Sequence, residues 1–402
     1  MVKKFSLSIF AVVFFITSLV SAAPSPSIQV TADSAILVEA STGRVIYEKN
    51  ADVVRPPASL TKMMTCIIGL EKFSPFSDVV ASQNAASTDF STLALNSGDI
   101  VNSYELLTGM MLVSDNGGAV AVAENIAGSV QNFAQMMNDK AREIGCEYTN
   151  FANPHGLPNP NHVSTARDMS KIAMYCMKNL NFRQIVSTQK MTMNWKNPAG
   201  RTILCENTNE LLYKDDRSRI NVPYNPAEIT GIKTGYTDAA GPCLAAGAKR
   251  NDVELIAVVL HCETHDSRFD DAAKLLNYGL ENVRMMRQTV KDHVENINFA
   301  NNGKKATLRV GANEEIVFAM LSSENIENFS IEYEVPKTFD ENIERGQVVG
   351  QAVLKYAGEK IASVPLFARE RVTKEISITN KITGWTMPFF STLKNFWMEY
   401  FG

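Results

Sequence analysis

The run Glu228-Ile229-Thr230-Gly231-Ile232-Lys233-Thr234-Gly235-Tyr236 constrains this chain more than any other stretch. It reads as an extended strand that ends in a lysine, a hydroxyl and a glycine. Two further apolar runs follow, Leu244 to Ala248 and Leu255 to Leu260. Asp238-Ala239-Ala240-Gly241-Pro242 separates the first pair, and Lys249-Arg250-Asn251-Asp252 the second. Short apolar runs punctuated by turn residues predict an antiparallel meander. A strand edge bearing Lys233 and Thr234 suits a substrate carboxylate, and Gly235 lets a substrate backbone come close.

The segments around that meander predict an α+β fold, a helical cluster packed on an antiparallel sheet. Ala35 to Ala40 and Val45 to Glu48 read as a hairpin turned at Ser41-Thr42-Gly43-Arg44. Pro56-Pro57 stops extended structure, and a helix is expected from Ser59 through Leu70. Further helices are expected over Tyr104 to Leu112, Gly118 to Ile126, Val130 to Ile144, Ala166 to Lys178 and Phe269 to Val283. Pro154 to Asn161 is rich in Pro, Asn and Gly and reads as loop. From about residue 286 the character changes to short alternating runs: Ala306 to Val310, Glu315 to Leu321, Phe329 to Val335, Val348 to Tyr356 and Ile361 to Phe367. These predict a small all-β domain. The expected division is a leader over 1–23, a catalytic domain over 24–285, a β-rich domain over 286–375 and a terminal helix over 376–402.

Both ends speak of export and of a membrane surface. Lys3 and Lys4 precede an apolar stretch from Phe5 to Val20, and Ser21-Ala22-Ala23 offers small residues for cleavage. That is the pattern of a secretory signal peptide. At 100° per residue, Phe389, Phe390, Leu393, Phe396, Trp397, Tyr400 and Phe401 fall on one face of a helix. Such a helix suits the membrane interface and is too short to span, and Arg371, Lys374 and Lys381 before it suit anionic head groups. The alternative is a core helix packed on the body.

Composition removes other classes. A formal net charge of −4 leaves no basic surplus, so no nucleic-acid partner is expected. The six cysteines are widely spaced, and Cys66 and Cys243 lie in apolar runs, so no structural disulfide is expected. The five histidines show no metal-ligand spacing, and neither metal nor other cofactor is expected.

Three motifs carry the chemistry. Ser59 and Lys62 stand three apart and meet on one helix face. A lysine with an ordinary pKa near ~10.4 is no base at neutral pH, but burial and a second ammonium both disfavour its charge. Lys233 is expected to be that second ammonium. Lys62 then removes the Ser59 proton for nucleophilic attack. Ser114 and Asn116, in Ser114-Asp115-Asn116, sit between two helices, where a hydroxyl can relay a proton and an amide can orient a peptide. Each motif alone has a plain alternative. Ser59 could be a helix cap, Lys62 a solvated helix lysine, and Ser114 to Asn116 an ordinary turn. Ser-x-x-Lys also recurs at Ser187/Lys190 and Ser391/Lys394. Order and context favour chemistry: helix start, inter-helix loop, strand.

Ser59-Leu60-Thr61-Lys62, Ser114-Asp115-Asn116 and Lys233-Thr234-Gly235 together resemble the penicillin-binding serine D-alanyl-D-alanine carboxypeptidases, peptidase family S11. Flanking stretches agree, among them Ala152-Asn153-Pro154-His155-Gly156-Leu157 and Ser164-Thr165-Ala166-Arg167-Asp168-Met169. The resemblance implies a transpeptidase/β-lactamase-like catalytic domain, followed by a β-rich domain and an anchoring tail. It implies release of the terminal D-alanine from peptidoglycan pentapeptide stems, acylation by β-lactams, and a place on the outer, periplasmic face of the cytoplasmic membrane. By the same resemblance Ser59 is the nucleophile, Lys62 its base, Ser114 the relay and Asn116 the orienting amide. Lys233, Thr234 and Arg268 would bind the terminal carboxylate, with Gly235 beside them, and the N–H groups of Ser59 and Tyr236 would form the oxyanion hole. His155 falls on a family position without an assigned role. Asp115 departs from the family, where glycine is usual, and matches class A β-lactamases instead. A lactamase needs a glutamate in the loop after this motif, and Pro154 to Ser164 contains no acid. The remaining alternative is a non-catalytic wall-binding protein.

Overall fold

The computed structural model describes residues 28–74, 76–213, 219–300 and 304–374. The expected leader and the aromatic terminal helix lie outside the described residues. Among the described residues, no helix is long and apolar enough to cross a membrane. The chain forms two compact units. The first runs to Met286 and takes back Phe318–Glu324, and the second holds Arg287–Val317 and the residues from Asn325 on.

The first unit opens on the expected hairpin, β1 (Ser34–Glu39) against β2 (Val45–Lys49). The Glu39 carboxylate fixes its turn by accepting from the N–H and hydroxyl of both Ser41 and Thr42. The next helix begins later than the sequence suggests. A 3-10 turn, Ala58–Thr61, precedes α1 (Lys62–Lys72), so Ser59 lies on the tight turn and Lys62 opens the α-helix. Ala58 takes a left-handed φ of 48°, which no propensity argument anticipates. Residues 62–69 of α1 are buried on every side, making it the central helix of the unit.

Beyond it come β3 (Asp78–Val80), α2 (Gln83–Ala86), β4 (Ile100–Asn102), α3 (Ser103–Leu112), α4 (Asn116–Ala127), α5 (Val130–Ile144) and α6 (Ala166–Met177). Each helix from α3 to α6 starts on a side-chain cap, supplied by Asn102, Asp115, Ser129 and Thr165. The short helix α7 (Leu180–Ser187), capped by Asn179, has no counterpart in the sequence reading. Next are β5 (Lys190–Asn197) and β6 (Thr202–Glu206), which complete a small sheet in the order β3-β4-β5-β6.

The meander then follows as expected: β7 (Ile229–Gly235), β8 (Cys243–Arg250) and β9 (Val253–Leu260), closed by α8 (Ser267–Asn282). The main sheet is antiparallel throughout, in the order β2-β1-β9-β8-β7. β7 is therefore an edge strand. The period of two places alternate residues in two cores. Ile36, Val38, Ala245, Ile256 and Val258 face the helical cluster around α1. Ala35, Leu37, Leu244, Ala246, Leu255 and Ala257 face α8 through Phe269, Ala272 and Leu276. With both faces covered, the strands read as continuous apolar runs. Ala319 and Leu321 join the α8 side, where the buried Arg44 guanidinium pairs with Glu324.

In the second unit a six-stranded sheet runs in the order Phe329–Glu334, Val348–Tyr356, Glu359–Ala368, Lys305–Gly311, His293–Phe299, Thr338–Phe339. Its central hairpin turns at Ala357-Gly358, whose φ values of 49° and 90° match a two-residue turn. Ile297, Phe299, Leu308, Val310, Val353 and Leu366 are buried.

Candidate active site

The 3-10 turn of Ser59 is gripped by the loop after α5. If Gly156 carried a Cβ, that atom would lie 1.9 Å from the Ala58 carbonyl oxygen, so only glycine fits. His162 supports the same turn. Its Nδ1 accepts from the Ala152 N–H at 3.0 Å, so its Nε2 carries the proton and donates to Thr61 Oγ1 at 2.7 Å. Thr61 in turn donates to the Ala58 carbonyl at 2.7 Å. Thr65 donates to the Pro154 carbonyl at 2.6 Å. Burial holds His162 neutral, with its pKa pushed down to about 4, and His155 likewise to about 3.

Lys62 is fully buried, and its Nζ has three partners: Asn116 Oδ1 at 2.7 Å, the His155 carbonyl at 2.9 Å and Ser59 Oγ at 3.0 Å. Burial pushes its pKa down to about 7, against the opposing pull of the Asp115 carboxylate. A neutral amine has two N–H groups and one lone pair. Asn116 and His155 offer only acceptors, so they take the two N–H groups and the lone pair is left to the Ser59 hydroxyl.

Asn116 opens α4, and its Nδ2 donates to the Asp89 carbonyl at 2.8 Å. Asp115 is buried and caps α4 at Gly118. Its other oxygen accepts from the Leu93 N–H at 2.7 Å. Ser114 has a left-handed φ of 59°. It bonds neither lysine, since the partners of Lys62 are those named and Lys233 donates to the Thr234 carbonyl at 3.0 Å.

β7 brings the third motif against the turn. A Cβ on Gly235 would stand 3.2 Å from the Ser59 nitrogen. The Thr234 hydroxyl bonds the Thr208 hydroxyl at 2.6 Å. Arg268, at the start of α8, donates to the Gly235 carbonyl at 3.3 Å. Tyr236 leaves the strand half exposed, with its ring 4.4 Å from that of His265. Neither the Ser59 nor the Tyr236 N–H has an acceptor among the described residues. Lys233 is buried, and its pKa lies well below the ordinary value because of burial, then Lys62, then Arg268.

Burial is the main cause of the lowered pKa at both lysines, and the two enclosed amines disfavour each other's charge. Lys62 has three polar partners and Asp115 nearby, and Lys233 has one carbonyl.

The structure thus joins Ser59, Lys62 and Asn116 by direct bonds and sets Gly235 and Arg268 beside them. The His155 carbonyl, His162, Thr208 and the Asp89 carbonyl were not found from sequence. The His-containing Pro/Asn/Gly loop was the one available signal, since a backbone carbonyl leaves no mark on residue type. Among the described residues, no cluster of His, Cys, Asp or Glu could hold a metal ion.

Known proteins share this arrangement of elements. The family model of D-alanyl-D-alanine carboxypeptidase, peptidase S11, matches residues 19–264. The model of the penicillin-binding protein 5 C-terminal domain matches residues 290–374. The D-alanyl-D-alanine carboxypeptidase DacF of Bacillus subtilis is 31% identical over 353 residues, 87% of each chain. DacA of Haemophilus influenzae is 31% identical over 368 residues, 89% of each chain. The crystal structure of penicillin binding protein 5 from Haemophilus influenzae superposes with a TM-score of 0.71 at 29% identity, over 87% of this chain and 99% of that one. The first of these matches takes in all three motifs and the loop that grips Ser59, and the second takes in the β-rich unit: the chain belongs to the D-alanyl-D-alanine carboxypeptidase family, peptidase S11.

Proposed function

We propose that this chain removes the terminal D-alanine from peptidoglycan pentapeptide stems through an acyl-enzyme on Ser59. The observation that carries the proposal is the buried Lys62 amine, with two neutral acceptors on its N–H groups and Ser59 Oγ 3.0 Å away. Lys62 takes the Ser59 proton as Oγ bonds to the carbonyl carbon of the penultimate D-alanine. The N–H groups of Ser59 and Tyr236 receive the oxyanion. As the peptide C–N bond breaks, the proton passes through Ser114 to the leaving amine of D-alanine. Water then cleaves the ester and restores Ser59. Asn116 aligns the peptide, while Thr234, Lys233 and Arg268 hold the terminal carboxylate and Gly235 admits its backbone. Penicillin, an acylating analogue with its own carboxylate, takes the same place.

Nothing in the geometry favours the β-lactamase reading. Asp115, the residue that raised it, spends both oxygens on backbone N–H groups. The test is release of free D-alanine from diacyl-Lys-D-Ala-D-Ala. Steady release is expected, with penicillin acting as a slowly hydrolysed inhibitor. Rapid penicillin turnover without D-alanine release would reverse the choice.

The leader and the aromatic stripe from Phe389 to Phe401 support export, followed by peripheral attachment to the outer face of the cytoplasmic membrane. A chain ended before Trp385 is expected to be soluble and fully active. Membrane association as strong as that of the full chain would refute the anchor.

A further inference from the structure

The subsite at the end of β7 has a carboxylate of the protein's own on a neighbouring turn. After β6 the chain is tied to the site twice. The Thr208 N–H donates to the Leu112 carbonyl at 3.1 Å, and the Thr208 hydroxyl bonds Thr234 at 2.6 Å. Asn209, fully buried, then caps a 3-10 turn, Glu210–Leu212, by accepting from the Leu211 N–H at 3.2 Å. This turn packs on both β7 and α8, the two elements that carry Thr234 and Arg268.

Two polar atoms there are enclosed and unpaired. Glu210 Oε2 has no donor, and Arg268 Nε has no acceptor. The two side chains form no ion pair within 4.0 Å, so Glu210 does not orient the guanidinium through a hydrogen bond. They do feel each other's charge: burial disfavours the Arg268 cation, and Glu210 is the foremost charge supporting it. A substrate carboxylate drawn to Arg268 and Thr234 therefore also meets the charge of Glu210, and like charges repel.

We infer that Glu210 is a specificity-determining residue whose fixed negative charge weakens the grip of this subsite on carboxylate-terminated ligands. It tempers the hold on the peptide and on released D-alanine alike. The inference rests on the reading of Thr234 and Arg268 as carboxylate binders.

Full-length Glu210→Gln tests it, with Glu210→Ala as a second variant against misfolding. Two substrates are compared: diacyl-Lys-D-Ala-D-Ala, and an acyl thioester with an uncharged leaving group. Both variants are expected to lower KM for the peptide about three- to tenfold, with a smaller change in kcat. The thioester is expected to respond little. A peptide KM that stays or rises in both variants, or equal changes for both substrates, overturns the inference and leaves a packing role. Arg268→Gln separates the two levels. If it raises the peptide KM while Glu210→Gln fails to lower it, the inference alone falls. If it leaves the KM untouched, the carboxylate reading falls and takes Glu210 with it.

Discussion

Ser59→Ala is expected to end covalent labelling by penicillin altogether and to slow D-alanine release about 10^4-fold or more. The size follows from the covalent mechanism: without Oγ no ester forms, and what remains is binding plus the oxyanion N–H groups. The fold should not suffer. Ser59 makes no capping bond on its turn, and Lys62 keeps Asn116 and the His155 carbonyl. A thermal midpoint within a few degrees of the unaltered chain, measured beside the labelling, separates lost chemistry from lost structure. Covalent labelling that persists in Ser59→Ala would move the nucleophile elsewhere.

The second large effect concerns Lys62. Only its neutral form can accept the Ser59 proton, and burial brings its pKa down to about 7. Acylation by penicillin, followed as a second-order rate constant, is expected to rise about tenfold per pH unit below 7 and to level off above it. The sign is that of a base: protonation at low pH removes the lone pair. Lys62→Arg keeps a cation but cannot deprotonate, so acylation is expected to fall by about 10^3-fold or more at every pH, with the limb near 7 gone. A rate that stays flat from pH 5 to 9 in the unaltered chain would remove Lys62 from the role of base. The same shift bears on stability. The folded state holds its Lys62 proton less tightly than the unfolded chain, so this group's contribution grows as pH rises from about 7 towards 10.5 and is constant below that window.

What could be read from sequence was local. The hairpin at Gly43, the helix Val130–Ile144 and the meander after Lys233 announce themselves through period and turn residues. Ser59 and Lys62 are three residues apart, so their meeting needs only one turn of chain. What escaped depends on contacts between distant segments. The 3-10 turn at Ala58 lies directly against Gly156, almost 100 residues on. The strand His293–Phe299 is too polar to stand out, since only alternate residues enter its core. Thr208 has no motif of its own and matters because β7 passes beside it. The lowered pKa of both lysines could not be judged from charge alone, because burial is its main cause and burial comes from the fold. Asp115 drew attention through the company it keeps in other enzymes, while in this fold it is a helix cap.

The clamp on Ser59 has a bearing on how this enzyme can drift under antibiotic pressure. Gly156 leaves no room for any side chain over the Ala58 carbonyl, and Gly235 leaves very little by the Ser59 nitrogen. The backbone that presents the nucleophile is therefore not free to shift by substitution at either jaw. Variants that escape acylation while keeping activity must arise in the side chains around the clamp, where a drug and a peptide make different contacts, rather than in the clamp itself.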